Sequence, residues 1–138
     1  MSDAVAPAPA PAESPSPPRR VARIVTAGRT EVDDSERSRL RLLERLMLSE
    51  TRGSISRAAN DYLQAGFLFP EEQPVQLQLL EHFDEERARE AITVLARLLD
   101  EQDAHKLPVL LQRLRRLEEH GDEAPTRDAA AELRRSLR

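Results

Sequence analysis

The sequence predicts an all-α protein of five or six helices, stacked as antiparallel hairpins behind an N-terminal tail rich in alanine and proline. One observation is an internal repeat: residues 81–99 and 119–137 align without a gap at a 38-residue offset, with nine of nineteen positions identical. Another is that apolar residues recur at three- and four-residue steps, as on one face of a helix. Self-similarity at this period is typical of stacked helical hairpins, which usually bind other macromolecules. The identical pairs are Glu81/Glu119, His82/His120, Asp84/Asp122, Glu85/Glu123, Arg89/Arg127, Ala91/Ala129, Leu95/Leu133, Arg97/Arg135 and Leu99/Leu137.

The tail is predicted to span residues 1–32, and the helical domain is assigned to residues 33–138. Six of the ten prolines lie in residues 1–18 among alanines and serines, so little apolar surface can offset the entropy of ordering. This composition predicts a disordered segment with polyproline character. Residues 19–30 add four arginines and a short apolar run. They either continue the tail or form a short motif that orders on a partner.

Composition limits the classes of function. The chain has no cysteine, so it has neither disulfides nor thiolate metal sites, which fits the cytoplasm. Nearly all basic residues are arginine, which we attribute to the base composition of a bacterial genome. Residues 71–103 carry ten acidic and three basic residues, whereas residues 104–138 carry eight basic and six acidic ones. This is not the clearly basic footprint of a nucleic-acid-binding chain, and no apolar run is long enough for a bilayer span or a secretory signal.

The first helix is predicted to begin near Asp33, where Asp33, Asp34 and Ser35 offer N-cap oxygens and negative charge. It is predicted to end before Gly53. Four apolar residues at helical spacing are predicted to face inward. They are Leu40, Leu43, Met47 and Leu48.

The second helix is predicted over residues 54–65, with Gly66 as its C-terminal stop. Its predicted inward face comprises Ile55, Ala58, Ala59, Tyr62 and Leu63. The apolar run Phe67, Leu68 and Phe69 follows, and it is predicted to pack between this hairpin and the next. If the run is exposed instead, it is an anchor patch for a partner.

The third helix is predicted over residues 74–81, with Pro74 in its first turn, where a missing N–H costs nothing. Asp84 is predicted to cap the fourth helix, and Glu85 and Glu86 favour its positive end. The predicted inward faces are Leu77, Leu80 and Phe83 in the third helix and Ala88, Ala91, Ile92, Leu95, Leu98 and Leu99 in the fourth.

The fifth helix is predicted over residues 107–119, ended by Gly121. Asp122 or Thr126 is predicted to cap the sixth, with Pro125 in or near its first turn. The predicted inward faces are Leu107, Leu110, Leu111, Leu114 and Leu117 in the fifth helix and Ala129, Ala130, Leu133 and Leu137 in the sixth.

The pattern D-E-x-x-x-R-E-A at residues 84–91, and its counterpart in the second copy, resemble the second helix of a HEAT-type repeat. In that family an aspartate closes the turn inside each repeat and an arginine follows in the next helix. The resemblance assigns these positions to Asp84 and Arg89 in the first copy. In the second copy it assigns them to Asp122 and Arg127.

The resemblance covers residues 71–138, and residues 35–69 are interpreted as a degenerate third repeat. The second copy departs from the family pattern at Ala130, Glu132 and Ser136, where larger apolar residues are usual; a polar outer face suits a terminal capping repeat. The family implies an interaction or scaffolding function and supplies no catalytic residue.

No catalytic residue, metal ligand or cofactor is predicted, and the chain is interpreted as not an enzyme. His82 and His120 occupy equivalent repeat positions and His105 lies in a loop, but their spacing matches no zinc motif. Acidic pairs are typical of helix caps and solvated faces. The sequence contains no phosphate loop, nucleophile elbow or dinucleotide fingerprint.

The predicted function is therefore binding of another protein by a small adaptor module. The candidate contacts are the acidic stretch 71–103 and a set of side chains comprising Arg113, Arg115, Arg116, Arg134, Arg135, Phe67 and Phe69. The alternative is a nucleic-acid-associated regulator that uses residues 52–66, which loosely resemble a helix-turn-helix core, or the C-terminal arginines, which would contact phosphates. Homo-oligomerisation through the exposed ends of the stack is a third hypothesis.

Overall fold

The computed structural model describes residues 27–137, with side chains from residue 32 onward, and this part of the chain contains six α-helices and no strand. The predicted all-α fold is thereby confirmed. The predicted disordered tail falls outside the described residues except for its last six positions, which are helical. The helices are α1 (Ala27–Leu48), α2 (Arg52–Gln64), α3 (Gln73–Leu79), α4 (Glu85–Leu98), α5 (Leu107–His120) and α6 (Ala124–Ser136).

The start of α1 differs from the prediction. The helix begins at Ala27, so the predicted caps Asp33, Asp34 and Ser35 lie inside it. Arg37 donates a hydrogen bond to Asp34 at 2.8 Å, and a pair three residues apart stabilises helix rather than ending it. Arg39–Arg138 form one compact unit, and the earlier part of α1 belongs to another.

The inward face of α1 is also different. Leu46 is fully buried, and Leu43 and Met47 pack partly against the core. The predicted inward residues Leu40 and Leu48 are 50% and 71% exposed. Apolar residues lie on several sides of this end of the helix, so their spacing does not define a single stripe. The predicted inward face is correct for Leu43 and Met47 and wrong for Leu40 and Leu48.

The second helix agrees closely with the prediction. Thr51 and Ser54 form a capping box, in which each side chain accepts a hydrogen bond from the other residue's backbone N–H. Gly66 has a φ of 93°, the left-handed conformation that a helix stop requires. The predicted inward residues that are confirmed as buried are Ile55, Ala58, Ala59 and Tyr62.

The shortest helix, α3, lies at the centre of the core. Apart from Pro74, all its residues are buried, among them the glutamines Gln73, Gln76 and Gln78. Gln73 donates to the loop before α5, Gln76 to the loop before α3, and Gln78 to the C-terminal end of α1, at 2.8 or 2.9 Å. The three amides therefore fix three connections while satisfying their own buried donors.

The third helix, α3, ends earlier in the sequence than predicted. The helix stops at Leu79, and the side chain of Phe83, predicted to face inward, is 59% exposed. Leu77 and Leu80 are buried as predicted. Phe83 lies in the turn after the helix, where helical spacing no longer describes which way a side chain points.

The two C-terminal hairpins pack as a layer: α3 contacts α4, α5 contacts α6, and α4 contacts α6. Asp84 caps α4 as predicted, accepting from the Glu86 N–H at 3.0 Å. Leu98, Leu99, Leu107 and Leu111 are more exposed than predicted. The predicted inward residues that are confirmed as buried are Ala88, Ala91, Ile92, Leu95, Leu110, Leu114, Leu117, Ala130 and Leu133.

The start of α6 is held by the preceding hairpin. Neither Asp122 nor Thr126 caps the helix; the N-cap residue is Glu123, and its side chain makes no capping bond. Instead, the Glu85 carboxylate accepts from the N–H groups of Asp122 and Glu123 at 2.6 and 3.0 Å. Arg89 donates to Glu123 and to the buried Thr126 hydroxyl. The predicted local cap was wrong because a residue distant in sequence supplies the acceptor.

Candidate binding surface on α5

Arginines from two helices converge on the C-terminal end of α3. From α5, Arg113 and Arg116 donate to backbone carbonyls at this end, at 2.8 and 3.1 Å. From the start of α2, the Nε of Arg52 donates to the Glu81 carbonyl at 3.1 Å. Cations are favoured at the negative end of a helix, so the three side chains also stabilise α3.

One carboxylate serves these three guanidinium groups. The Glu81 side chain lies 3.9 Å from Arg52, 3.7 Å from Arg113 and 3.4 Å from Arg116. Burial lowers the pKa of Arg52 and of Arg113, the neighbouring Arg116 lowers both further, and the Glu81 carboxylate opposes the shift. The Nε of Arg116 is buried and has no hydrogen-bond partner among the described residues. The cluster therefore holds an excess of positive charge and of donors.

A second glutamate, Glu118, lies on α5 itself and pairs with α6. Arg134 donates two hydrogen bonds to Glu118, at 2.7 and 2.9 Å, in a bidentate pair. These hydrogen bonds, together with the positive charges of Arg134, Arg135 and Arg115, lower the pKa of Glu118. Arg115 and Arg135 are exposed and bond to no acceptor within the described part of the chain.

An exposed aromatic ring completes this face. The Arg52 guanidinium lies 4.8 Å from the centroid of the Phe83 ring, a cation–π contact at the edge of the arginine cluster. A shallow groove of about 530 Å³ runs from Glu81 along α5 to His120. We define the α5 arginine surface as Arg52, Glu81, Phe83, Arg113, Arg115 and Arg116, bordered by Glu118, Arg134 and Arg135.

The predicted binding residues are only partly brought together. The predicted arginines lie along α5 and the neighbouring part of α6, but Arg113, Arg116 and Arg134 bond to acceptors within the chain. Among the predicted binding arginines, Arg115 and Arg135 are therefore the most accessible cations.

The predicted phenylalanines lie elsewhere, next to Tyr62. The Phe69 ring stacks on Tyr62 with centroids 5.2 Å apart, and the Phe67 ring lies 5.5 Å away. The Tyr62 hydroxyl donates to the Leu68 carbonyl at 3.2 Å, which fixes the loop. Leu68 itself is 86% exposed at the tip. The two rings therefore serve mainly to pack this loop on α2.

Two residues of the surface were missed in the sequence. The sequence predicts Arg52 only as part of a nucleic-acid-binding segment and Phe83 only as a core residue. The repeat contains a signal for Phe83, because the equivalent position in the second copy is Gly121. A position that accepts glycine does not need an inward aromatic ring.

His82 is buried beside this surface in a single tautomer. Its Nε2 lies 2.9 Å from the Asn60 Oδ1, so Nε2 carries the proton and donates. Its Nδ1 accepts from the Asp84 backbone N–H at 2.9 Å. A proton added to Nδ1 would face that N–H, so the fold requires the neutral ring.

The stability of the fold is expected to decrease as the pH falls below 6.5, the usual pKa of histidine. Burial lowers the pKa of His82, the Asp84 carboxylate raises it, and Arg87 and Arg52 lower it further. Because the net shift is downward, the unfolded chain binds the proton more readily, and stability present above pH 6.5 is lost on acidification. Urea unfolding at about pH 7.5 and about pH 5.5 measures this loss.

A His82→Gln variant is expected to lose less stability over this interval than the original chain. His120→Gln is the matched control, because this exposed histidine occupies the equivalent repeat position. If His82→Gln keeps the full pH dependence, the titrating group lies elsewhere.

Comparisons with known proteins identify no relative of this chain. No protein-family model, curated protein or solved structure matches it. Within the described residues, no group of three or more histidine, aspartate or glutamate side chains could hold a metal ion. No helix in that part of the chain is long and apolar enough to cross a membrane.

Proposed function

We propose that the chain is a non-catalytic interaction module of the cytoplasm that binds an acidic segment of another protein through the α5 arginine surface. The observation that carries the proposal is the gathering of Arg52, Arg113 and Arg116 around the single carboxylate of Glu81, beside the exposed Phe83 ring. Arginine and aromatic side chains are the residues most enriched where proteins bind one another.

The exposed cation of this surface supports the same proposal. Arg115 extends from α5 between the clusters at Glu81 and Glu118, and it lines the groove together with Gln112 and Val109. A partner carboxylate placed there meets a guanidinium that needs no internal pair to be broken. The apolar ring of Phe83 adds a contact that does not depend on charge.

Nucleic acid is the less favoured partner. Glu81, Glu118 and Glu119 interrupt the positive face, whereas phosphate binding favours an uninterrupted row of cations. In a helix-turn-helix, the helix after residues 52–66 would be exposed for the major groove. Here that helix is α3, which is buried almost throughout.

We also propose that α3–α4 and α5–α6 are two HEAT-like repeats. Support comes from the packing of α3 on α4, α5 on α6 and α4 on α6. Further support comes from Glu85 and Arg89, which reach from the first hairpin to the turn of the second. Repeats of this kind usually present surfaces for binding.

The proposed surface is tested by comparing variants in an affinity pull-down from native lysate, with and without nuclease, read by quantitative mass spectrometry. The original chain is expected to recover a protein under both conditions, and Arg115→Glu to recover about tenfold less or lower. Phe83→Ala is expected to weaken the same capture. Arg57→Glu is the matched control, because it makes the same charge change at an exposed site on α2.

Equal recovery by Arg115→Glu and Arg57→Glu would contradict the proposed surface. Capture that disappears with nuclease would favour the nucleic-acid alternative instead. Circular dichroism of each variant shows whether the helices are retained, so that loss of binding is not confused with loss of fold.

A further inference from the structure

A groove lies along the line where α4 packs on α6, on a face that the α5 arginine surface does not include. Its volume is about 520 Å³. Ile92 and Leu133 form a nearly buried floor, and Leu99 and Leu137 are partly exposed beside it. The small side chain of Ala96 is exposed in the groove, which leaves room for an approaching chain.

The rim of the groove is negatively charged. Asp100 on one side and Glu132 on the other are exposed and pair with no described residue. Arg97 also lines the groove, but its guanidinium is already paired with Glu71. The unpaired charge at the groove is therefore acidic.

The backbone adds to this potential. Both α4 and α6 end at the groove, because the residues that line it include Leu99 and Asp100 just after α4 and Ser136 and Leu137 at the end of α6. The C-terminal end of a helix carries partial negative charge. Two such helix ends and two carboxylates favour a cationic ligand. Such a ligand would lie above the apolar floor of the groove.

We propose that this groove is a docking site for a basic amphipathic helix of a partner protein. The partner's apolar row lies on Ala96, Leu99 and Leu137, above the floor formed by Ile92 and Leu133. Its flanking lysines or arginines reach Asp100 and Glu132. Binding of an amphipathic helix in an apolar groove is a recurrent mode of peptide recognition. An acidic helix of the same shape is repelled, so the carboxylates at the rim select a ligand of positive charge. This site is separate from the proposed acidic-segment site and prefers the opposite charge.

The probe is a fluorescein-labelled synthetic helix of roughly 15–20 residues, with leucines on one face and lysines beside them. Its twin replaces every lysine with glutamate. Fluorescence anisotropy with the full chain is expected to show saturable binding of the lysine peptide and none of the glutamate peptide. The Asp100→Lys, Glu132→Lys double variant is expected to weaken binding by about tenfold or more. Ala96→Trp, which fills the groove from an exposed position, is expected to abolish it.

The matched control is the Glu86→Lys, Asp128→Lys double variant, which makes the same charge change at exposed positions on α4 and α6, away from the groove lining. It is expected to bind the lysine peptide normally. If it weakens binding as much as the groove variants, the attraction is general electrostatics and the site is overturned. Absence of binding to the original chain also overturns it.

A second copy of the chain is a competing occupant. Sedimentation velocity of the original chain and of Ala96→Trp distinguishes the two. A dimer that Ala96→Trp dissociates would replace the proposed helical ligand with self-association, whereas a sedimentation coefficient unchanged by the substitution supports a separate partner.

Discussion

Replacing Leu95 with alanine is expected to lower the free energy of unfolding by about 2–5 kcal/mol. Leu95 is 1% exposed and lies on α4, the helix that packs against both α3 and α6. The truncation removes buried apolar surface and leaves a cavity at a contact between the two hairpins, where helices on two sides limit collapse. Since small domains are stabilised by about 5–15 kcal/mol in total, this is a large fraction. Urea unfolding followed by circular dichroism measures the loss.

Leu48→Ala is the control for this prediction. It makes the same chemical change at the end of α1, where the side chain is 71% exposed. Its effect is expected to remain within about 0.5 kcal/mol. A Leu95→Ala loss no larger than that of Leu48→Ala would show that α4 does not occupy the core.

Replacing Gln78 with methionine is expected to lower the free energy of unfolding by about 2–3 kcal/mol. The methionine keeps nearly the same shape but removes an amide that donates to the carbonyls of Leu46 and Ser49 and accepts from Arg113. The loss comes from buried acceptors and a guanidinium left without partners, not from a cavity. Thermal and urea unfolding of the purified variant measure the change.

The matched control for Gln78→Met is Gln112→Met on α5. Gln112 is exposed, so the same substitution leaves no buried group unpaired and is expected to change stability by about 0.5 kcal/mol or less. A near-neutral Gln78→Met would contradict the role of α3 as the central anchor. The same variant is expected to disturb Arg113, and so also to weaken binding at the α5 arginine surface.

Strong local periodicity made most of the fold predictable. Leu95, Leu114 and Ile55 lie on clear helical stripes, and each is buried as expected. The inward face of α1 was predicted only in part, because the C-terminal half of this helix is apolar on several sides and only contact with the remaining helices selects Leu46. Periodicity identifies a buried face when the opposite face is polar, and it gives no choice when that contrast is missing.

The polar interior could not be predicted in the same way. Gln78 is buried because carbonyls at the end of α1 need donors, and their position depends on the assembled fold. The start of α6 likewise depends on Glu85, which lies in the preceding hairpin. Such long-range hydrogen bonds leave no periodic signal in the sequence.

The candidate surface was predictable in composition but not in geometry. The sequence pointed to Arg113, Arg115 and Arg116 as a group, but it did not indicate that two of them bond to the end of α3. Arg52 joins them from a helix more than fifty residues earlier in the chain. Arg115 differs from Arg113 and Arg116 in having no acceptor among the described residues of the fold, and Phe83 is exposed because α3 ends before it. Both properties depend on the assembled structure.

The hydrogen-bonded contact between the two hairpins has a consequence for the addition of further repeats to such a chain. The first hairpin contributes Glu85 and Arg89 to this contact. The second hairpin contributes the turn at Asp122 and Glu123, to which they are hydrogen-bonded. Glu123 and Arg127 occupy the positions of Glu85 and Arg89 in the second copy. A gene duplication of one 38-residue period would therefore copy the residues of both sides of this contact at once. In the second copy Arg127 donates to the carbonyls of Gly121 and Asp122 in its own turn, so a further module would have to displace these bonds.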